Sequence, residues 1–252
     1  MTGKSLTDHV RRNFIRIVGS VLAVVALAAQ PHVAAAQATG SPLKIGIVGA
    51  GREGGALGTL FVKAGHPVKF SSRHPEDLKS LVAGLGPLAQ AGTVEEAIAF
   101  GDVVLIVITY AAMEQIGKAH AAALAQKVLV IDVSNPIPRR DGEDFVKSVG
   151  EQGGAGLVTA KFLQGAHIVR AFNAIGSGKL TEVAHRAGEP VGVPIAGDDP
   201  KAIAVAQSLI REIGFEPVLV GGLAMGRHLV PGTPLGGEHT AAEIRQIAGS
   251  LH

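Results

Sequence analysis

The 252-residue chain has no cysteine, no tryptophan and a single tyrosine, Tyr110. Without cysteine there is no disulfide, no thiolate nucleophile and no cysteine metal ligand. With aromatic residues at 4% there is little to stack nucleobases on. Nor does one sign of charge dominate. The formal net charge is +2, but Lys4, Arg11, Arg12 and Arg16 stand against only Asp8 in residues 1–38. The rest of the chain is close to neutral, with acids slightly ahead. That excludes the basic footprint of a nucleic-acid binder or an anionic-membrane binder. Metal-ligand spacing is missing too. The ten histidines include no H-x-x-x-H pair or comparable set, so no metal site is expected.

What is abundant is glycine, at 34 residues, against a usual share of about 7%. No repeat accompanies it, so the glycines serve turns and close contacts. The hydrophobic fraction of 47% is ample for a core.

The N-terminus reads as an address. Lys4 to Arg16 is a positive region, 17–29 an apolar run, and Ala36-Gln37-Ala38 an A-x-A cleavage pattern. The run is short for a bilayer span, which takes about 20 residues, and Pro31 stops its helix. Arg11-Arg12-Asn13-Phe14-Ile15-Arg16 has the form of a twin-arginine export signal. The expectation is removal of residues 1–38 and a periplasmic or secreted product, touching membrane only through that signal.

Residues 44–48, KIGIV, form an apolar strand that runs into Gly49-Ala50-Gly51-Arg52-Glu53-Gly54, a G-x-G-x-x-G loop. A helical run (Ala56, Leu57, Leu60, Phe61) and a second strand, 67–70, follow. In that setting the loop reads as a dinucleotide site. Gly49 permits the tight turn, Gly51 leaves room for pyrophosphate and Gly54 lets helix meet sheet. Arg52 and Glu53 share the loop and count with the cofactor-binding residues. Gly58 repeats the small residue one turn on. An NAD site usually places an acid after the second strand. Here Ser71-Ser72-Arg73-His74-Pro75 offers none. Ser72 and Arg73 instead suit a 2′-phosphate, which favours NADP over NAD.

Further strand-like runs at 102–108, 127–133 and 166–172 alternate with helical patterns. Thr93 and Glu96 form a capping box on one of them. The alternation predicts an α/β, Rossmann-type, doubly wound parallel sheet over 39–175. A small C-terminal α/β extension, 176–252, completes the acceptor site. Ligands in such sheets bind beyond the strand C-termini. That nominates Thr109-Tyr110, Ser134-Asn135-Pro136 and Asn173-Ala174-Ile175 for the nicotinamide pocket. Tyr110 reads as a wall of that pocket, and Asp198 and Asp199 as helix-start acids. His228 and His239 read first as loop histidines and second as proton donors.

Together the pieces IGIVGAGREGGALG, SSR, VSNP, VRAFNAIG, IAGDD and EIGFEPVLVGGL resemble the NADPH-dependent reductases of the deazaflavin coenzyme F420. They also resemble the reductase domain of the six-transmembrane metalloreductases. The resemblance implies NADP(H) held by Gly49, Gly51, Gly54, Ser72 and Arg73, with nicotinamide near Thr109, Asn135, Ala171 and Asn173. It implies direct hydride transfer to a flavin or deazaflavin stacked on the nicotinamide. Thr109 and Tyr110 depart from a family pattern of proline and a bulky aromatic, and Arg52 and Glu53 are unusual there. The small-molecule acceptor stays open among deazaflavin, flavin, metal chelate and small carbonyl. So does oligomeric state, a homodimer included. Two alternatives stand beside this reading. One is a β-hydroxyacid dehydrogenase or imine reductase, which generally needs a long helical C-terminal domain that the residues after Ile175 do not supply. The other is a non-catalytic NADP-binding module.

Overall fold

The strands that carry the prediction are short and fully buried, as central strands of a parallel sheet must be. The computed structural model describes residues 41–251. The expected export signal and cleavage site, residues 1–38, and the two residues after them lie outside the described residues.

In chain order the elements are β1 (Ile45–Val48), α1 (Arg52–Lys63), β2 (Val68–Ser71), α2 (Lys79–Leu85), β3 (Ala89–Gly92) and α3 (Val94–Phe100). Next come β4 (Val103–Ile106), α4 (Met113–Leu124) and β5 (Leu129–Asp132), then α5 (Pro138–Asp141), α6 (Glu143–Glu151), α7 (Ala155–Phe162) and β6 (Ile168–Arg170). The chain closes with α8 (Ser177–Val183), β7 (Gly192–Gly197), α9 (Pro200–Glu212), β8 (Glu216–Gly221) and α10 (Ala241–Gly249).

All eight strands form one sheet in the order β3-β2-β1-β4-β5-β6-β7-β8. The first six run parallel, the doubly wound order expected. The expectation of an all-parallel sheet needs one correction: β7 pairs antiparallel with β6, and β8 returns parallel to β7. The extension after Ile175 therefore continues the same sheet. Residues 41–251 form a single compact unit.

Local chemistry explains most boundaries. Thr93 and Glu96 close the expected capping box on α3, and Thr240 with Glu243 closes a second on α10. Asp199 caps α9 by accepting the Lys201 N–H at 2.8 Å, with Pro200 in the first turn. Asp198 instead accepts the Leu223 N–H at 3.0 Å, tying β7 to the turn after β8.

Close approach fixes α1 on the sheet. A Cβ on Gly54 would lie 2.1 Å from the Gly49 carbonyl oxygen. One on Gly58 would lie 2.1 Å from the Phe70 ring and 2.6 Å from Ile47. Both glycines do the packing expected of them. β3 and the helices α5 to α7 are additions to the sequence reading. Ala89-Gln90-Ala91-Gly92 has little strand propensity and pairs only as an edge.

Candidate functional site

The strand order reverses between β1 and β4, where a doubly wound sheet opens a crevice at the strand C-termini. There lies a cavity of about 760 Å³. Its floor is the start of α1: Gly51, Arg52, Glu53 and Gly54. One wall is Val107, Ile108 and Thr109, after β4. Behind are Ser134, Asn135, Ile137 and Arg140, after β5, and Asn173 to Ser177, after β6. The C-terminal loop closes it with Pro231, Gly232, Gly236 and Gly237. The Gly237 N–H donates to the Ala174 carbonyl at 2.8 Å and pins that loop in place.

The glycine loop is shaped for a phosphate. Gly49 has φ +99°, a conformation that favours glycine, and a Cβ there would strike the Val107 carbonyl at 2.2 Å. Gly51 caps α1 with no side-chain bond, and a Cβ on it would meet nothing within 4 Å. Open space therefore faces the unpaired N–H groups of the helix start.

Of the sequence candidates, the cavity brings together Gly51, Arg52, Glu53, Gly54, Thr109, Asn135 and Asn173. Gly49 shapes the loop from behind. Ser72 and Arg73 stand at the end of β2, beside the loop and outside the cavity lining. The β2 end is coupled to the loop, since the Ala50 N–H donates to the Ser71 carbonyl at 2.9 Å. Arg73 is exposed and makes no hydrogen bond or ion pair to a described residue. Ala171 is fully buried in the core and does not reach the cavity. Tyr110 is no pocket wall. It is fully buried, and its hydroxyl donates to the Ala155 carbonyl at 2.7 Å. Burial and the nearby Asp132 carboxylate push its phenol well up. His228 and His239 are not among the lining residues. Burial and the Arg227 charge lower the His228 pKa, which suits a neutral loop histidine.

This arrangement has known counterparts. Residues 44–136 match the family described as NADP oxidoreductase coenzyme F420-dependent. A rat protein, Metalloreductase STEAP3, is 32% identical over 193 residues, 74% of this chain. Over residues 44–136 the chain thus carries the domain of a family of NADP-dependent oxidoreductases. It spans only about a third of the curated relative's length, 35%.

Solved structures agree on the fold. A hypothetical protein of Sinorhizobium meliloti aligns with TM-score 0.65 at 25% identity, covering 79% of this chain and 96% of that one. A putative F420-dependent NADP reductase from Arthrobacter sp. FB24 aligns with TM-score 0.63 at 20% identity, covering 73% of this chain and 87% of that one. An imine reductase from Pseudomonas sp. aligns at 0.52 with 17% identity, over 72% of this chain but only 56% of its own.

A buried polar network holds the rear of the site. Asp132 and Arg170 end β5 and β6 as a fully buried ion pair. Arg170 Nη2 donates to the Ser134 carbonyl at 3.0 Å and to Asn135 Oδ1 at 3.3 Å. Asn135 Nδ2 donates to the Asn173 carbonyl at 2.8 Å. Thr159 Oγ1 donates to Asp132 Oδ2 at 2.8 Å and meets the Tyr110 hydroxyl at 3.0 Å. Each member orients the next, so Asp132 and Arg170, which do not line the cavity, help to set Asn135 and through it Asn173. Phe172, with φ +64°, turns the chain between them. Its ring is anchored edge-on against Phe215 at 5.7 Å.

Two charged groups at the cavity need separate mention. Arg140 is held by Asp141, through Nε at 3.3 Å and Nη2 at 3.0 Å, and by the Asn135 carbonyl. Although burial raises it, Asp141 stays below the usual carboxylate range because the Ile137 N–H, Arg140 and the Ala111 N–H bond to it. Glu53 goes the other way. Burial pushes its carboxyl up to about 7, with the Arg140 charge pulling back only in part. Sequence reasoning missed Arg140, Asp132 and Arg170. The last two left a signal, as charges inside otherwise apolar strand runs.

Proposed function

We propose that the chain is an NADPH-dependent reductase that delivers hydride to a flavin-like or other small conjugated acceptor in the described cavity. One observation carries the reading: an open glycine cradle at a helix start leads directly into a cavity roofed by the C-terminal loop. The residues fit NADP(H). Gly51 leaves space for pyrophosphate, and the start of α1 offers N–H donors. Asn173 Oδ1, buried at the cavity wall, has no partner among the described residues and is free to accept from a carboxamide N–H. Arg73, exposed beside the loop and without a partner among the described residues, suits the 2′-phosphate. Bound NADPH supplies the hydride. The protein supplies orientation and a dry pocket.

The family domain at residues 44–136 supports the NADP reading. Similarity to a metalloreductase and to a putative F420-dependent NADP reductase supports a redox acceptor. Deazaflavin and flavin are therefore tested first, ferric chelates second. Export by the twin-arginine route, which moves folded proteins, would let the cofactor travel already bound. The test is NADPH oxidation followed at steady state with deazaflavin, FMN, FAD and a ferric chelate. Turnover with one acceptor class supports the reading. Tight NADPH binding with no oxidation by any of them would make the chain a binding module instead.

A further inference from the structure

The phosphate cradle contains one residue whose charge is wrong for its place. Glu53 lies in the first turn of α1, two residues past the open Gly51. Its side chain lines the cavity, is partly buried and takes no hydrogen bond from a described residue. In the free protein a carboxylate near a helix start is favourable. A pyrophosphate seated on the same helix start puts two anions in one cradle, and like charges in a shared low-dielectric site do not both stay ionised.

Among the described residues no neighbouring cation is placed to neutralise it fully. Arg52, next in the chain, is exposed. Arg140 reaches the cavity from the loop after β5 but is engaged by Asp141 and the Asn135 carbonyl. From α8, which packs along α1, Lys179 and Glu182 pair with each other at 3.3 Å. From β2, Lys69 Nζ sits over the Phe100 ring at 5.4 Å. α2 brings Lys79 and β1 brings no charge.

We propose that Glu53 takes up a proton when NADP(H) binds, and that the neutral carboxyl then donates it to the acceptor reduced in the same cavity. This rests on the functional reading above. The free carboxyl already titrates near 7, so a bound dianion tips it to neutral under physiological conditions. The balance is simple. Bound NADPH gives up a hydride with its electron pair and is oxidised; the acceptor gains that pair and is left with an anionic nitrogen or oxygen. The Glu53 O–H bond breaks, its proton goes to that atom, and solvent reprotonates the carboxylate. An unusual residue in the loop thereby becomes the source of the second hydrogen.

The first part is tested without turnover. NADP+ is titrated calorimetrically into the full chain at about pH 8, in buffers of different ionisation enthalpy, which reads proton uptake directly. NAD+ is run in parallel, because the 2′-phosphate of NADP+ also titrates. Wild type should take up between about 0.5 and 1 proton with either cofactor. In Glu53→Gln that uptake should vanish while binding persists, and Glu53→Asp should restore part of it. The second part is read in the pH profile of acceptor reduction, where Glu53→Gln should lose the ionisation that wild type shows. Equal uptake in wild type and Glu53→Gln, or none in wild type that binds NADP+, overturns the proposal. Failure of wild type to bind NADP+ at all overturns the functional reading, and this proposal with it.

Discussion

At the residue scale the site depends on side chains that are missing as much as on those present. Gly51 and Gly49 make the cradle by having no Cβ, and both were legible from the G-x-G-x-x-G spacing. The lack of an acid after β2 nominates Arg73 as well. Replacing Arg73 with alanine should weaken NADPH binding about 10- to 100-fold, the worth of a charge-assisted contact. NADH binding should hardly change. Comparable losses for both would remove Arg73 from the 2′-phosphate. Glu53 was legible only as an oddity, because its environment depends on burial that a sequence does not print. Its folded carboxyl titrates near 7 against an ordinary 4.5. The unfolded chain therefore loses this proton first as pH rises. Stability from this group is full below about 4.5, falls between the two values and is lost above about 7. Glu53→Gln should thus be more stable than wild type at about pH 8, on the order of 1–2 kcal/mol after solvent screening. Near pH 4.5 the gap should close. Urea unfolding at the two pH values measures this; a constant difference would contradict it.

At the scale of elements, strand ends do the positioning. β5 and β6 were visible as apolar runs, and Ser134, Asn135 and Asn173, nominated at their ends, line the cavity. The network behind them was not visible, because Asp132 and Arg170 meet only once the two strands pair. Arg170→Met would strand Asp132 as a buried charge and should cost about 3–5 kcal/mol in unfolding. Adding Asp132→Leu should return much of that, since an apolar pair replaces the ions. A double variant as unstable as the single would mean the network is not held by this pair. Tyr110 was misplaced for a related reason. Its position after β4 suggested the cavity, yet a short 3₁₀ turn, Tyr110–Ala112, carries it into the core against Thr159. β3 escaped notice because small residues at an edge carry no hydrophobic pattern.

At the scale of the whole molecule, one eight-stranded sheet carries both the cradle and the roof. The doubly wound half was legible from alternating strands and helices. That the last two strands join the same sheet was not, because pairing partners distant in sequence leave no local trace. The roof, residues 229–237, follows from that continuation, and it is why the cavity is deeper than the Rossmann half alone would make it. The leader belongs to this scale too. An Arg11→Lys, Arg12→Lys variant should stay in the cytoplasm in a fractionation experiment if twin-arginine export operates. Normal export of that variant would argue for another route.

The central claim is that NADP(H) lies across the α1 start with its pyrophosphate against Gly51. Calorimetric titration of NADPH into wild type and Gly51→Leu tests it most directly. Wild type should bind one NADPH per chain, and the variant, folded by circular dichroism because a side chain there meets open space, should bind none. Undiminished binding by Gly51→Leu would contradict the account.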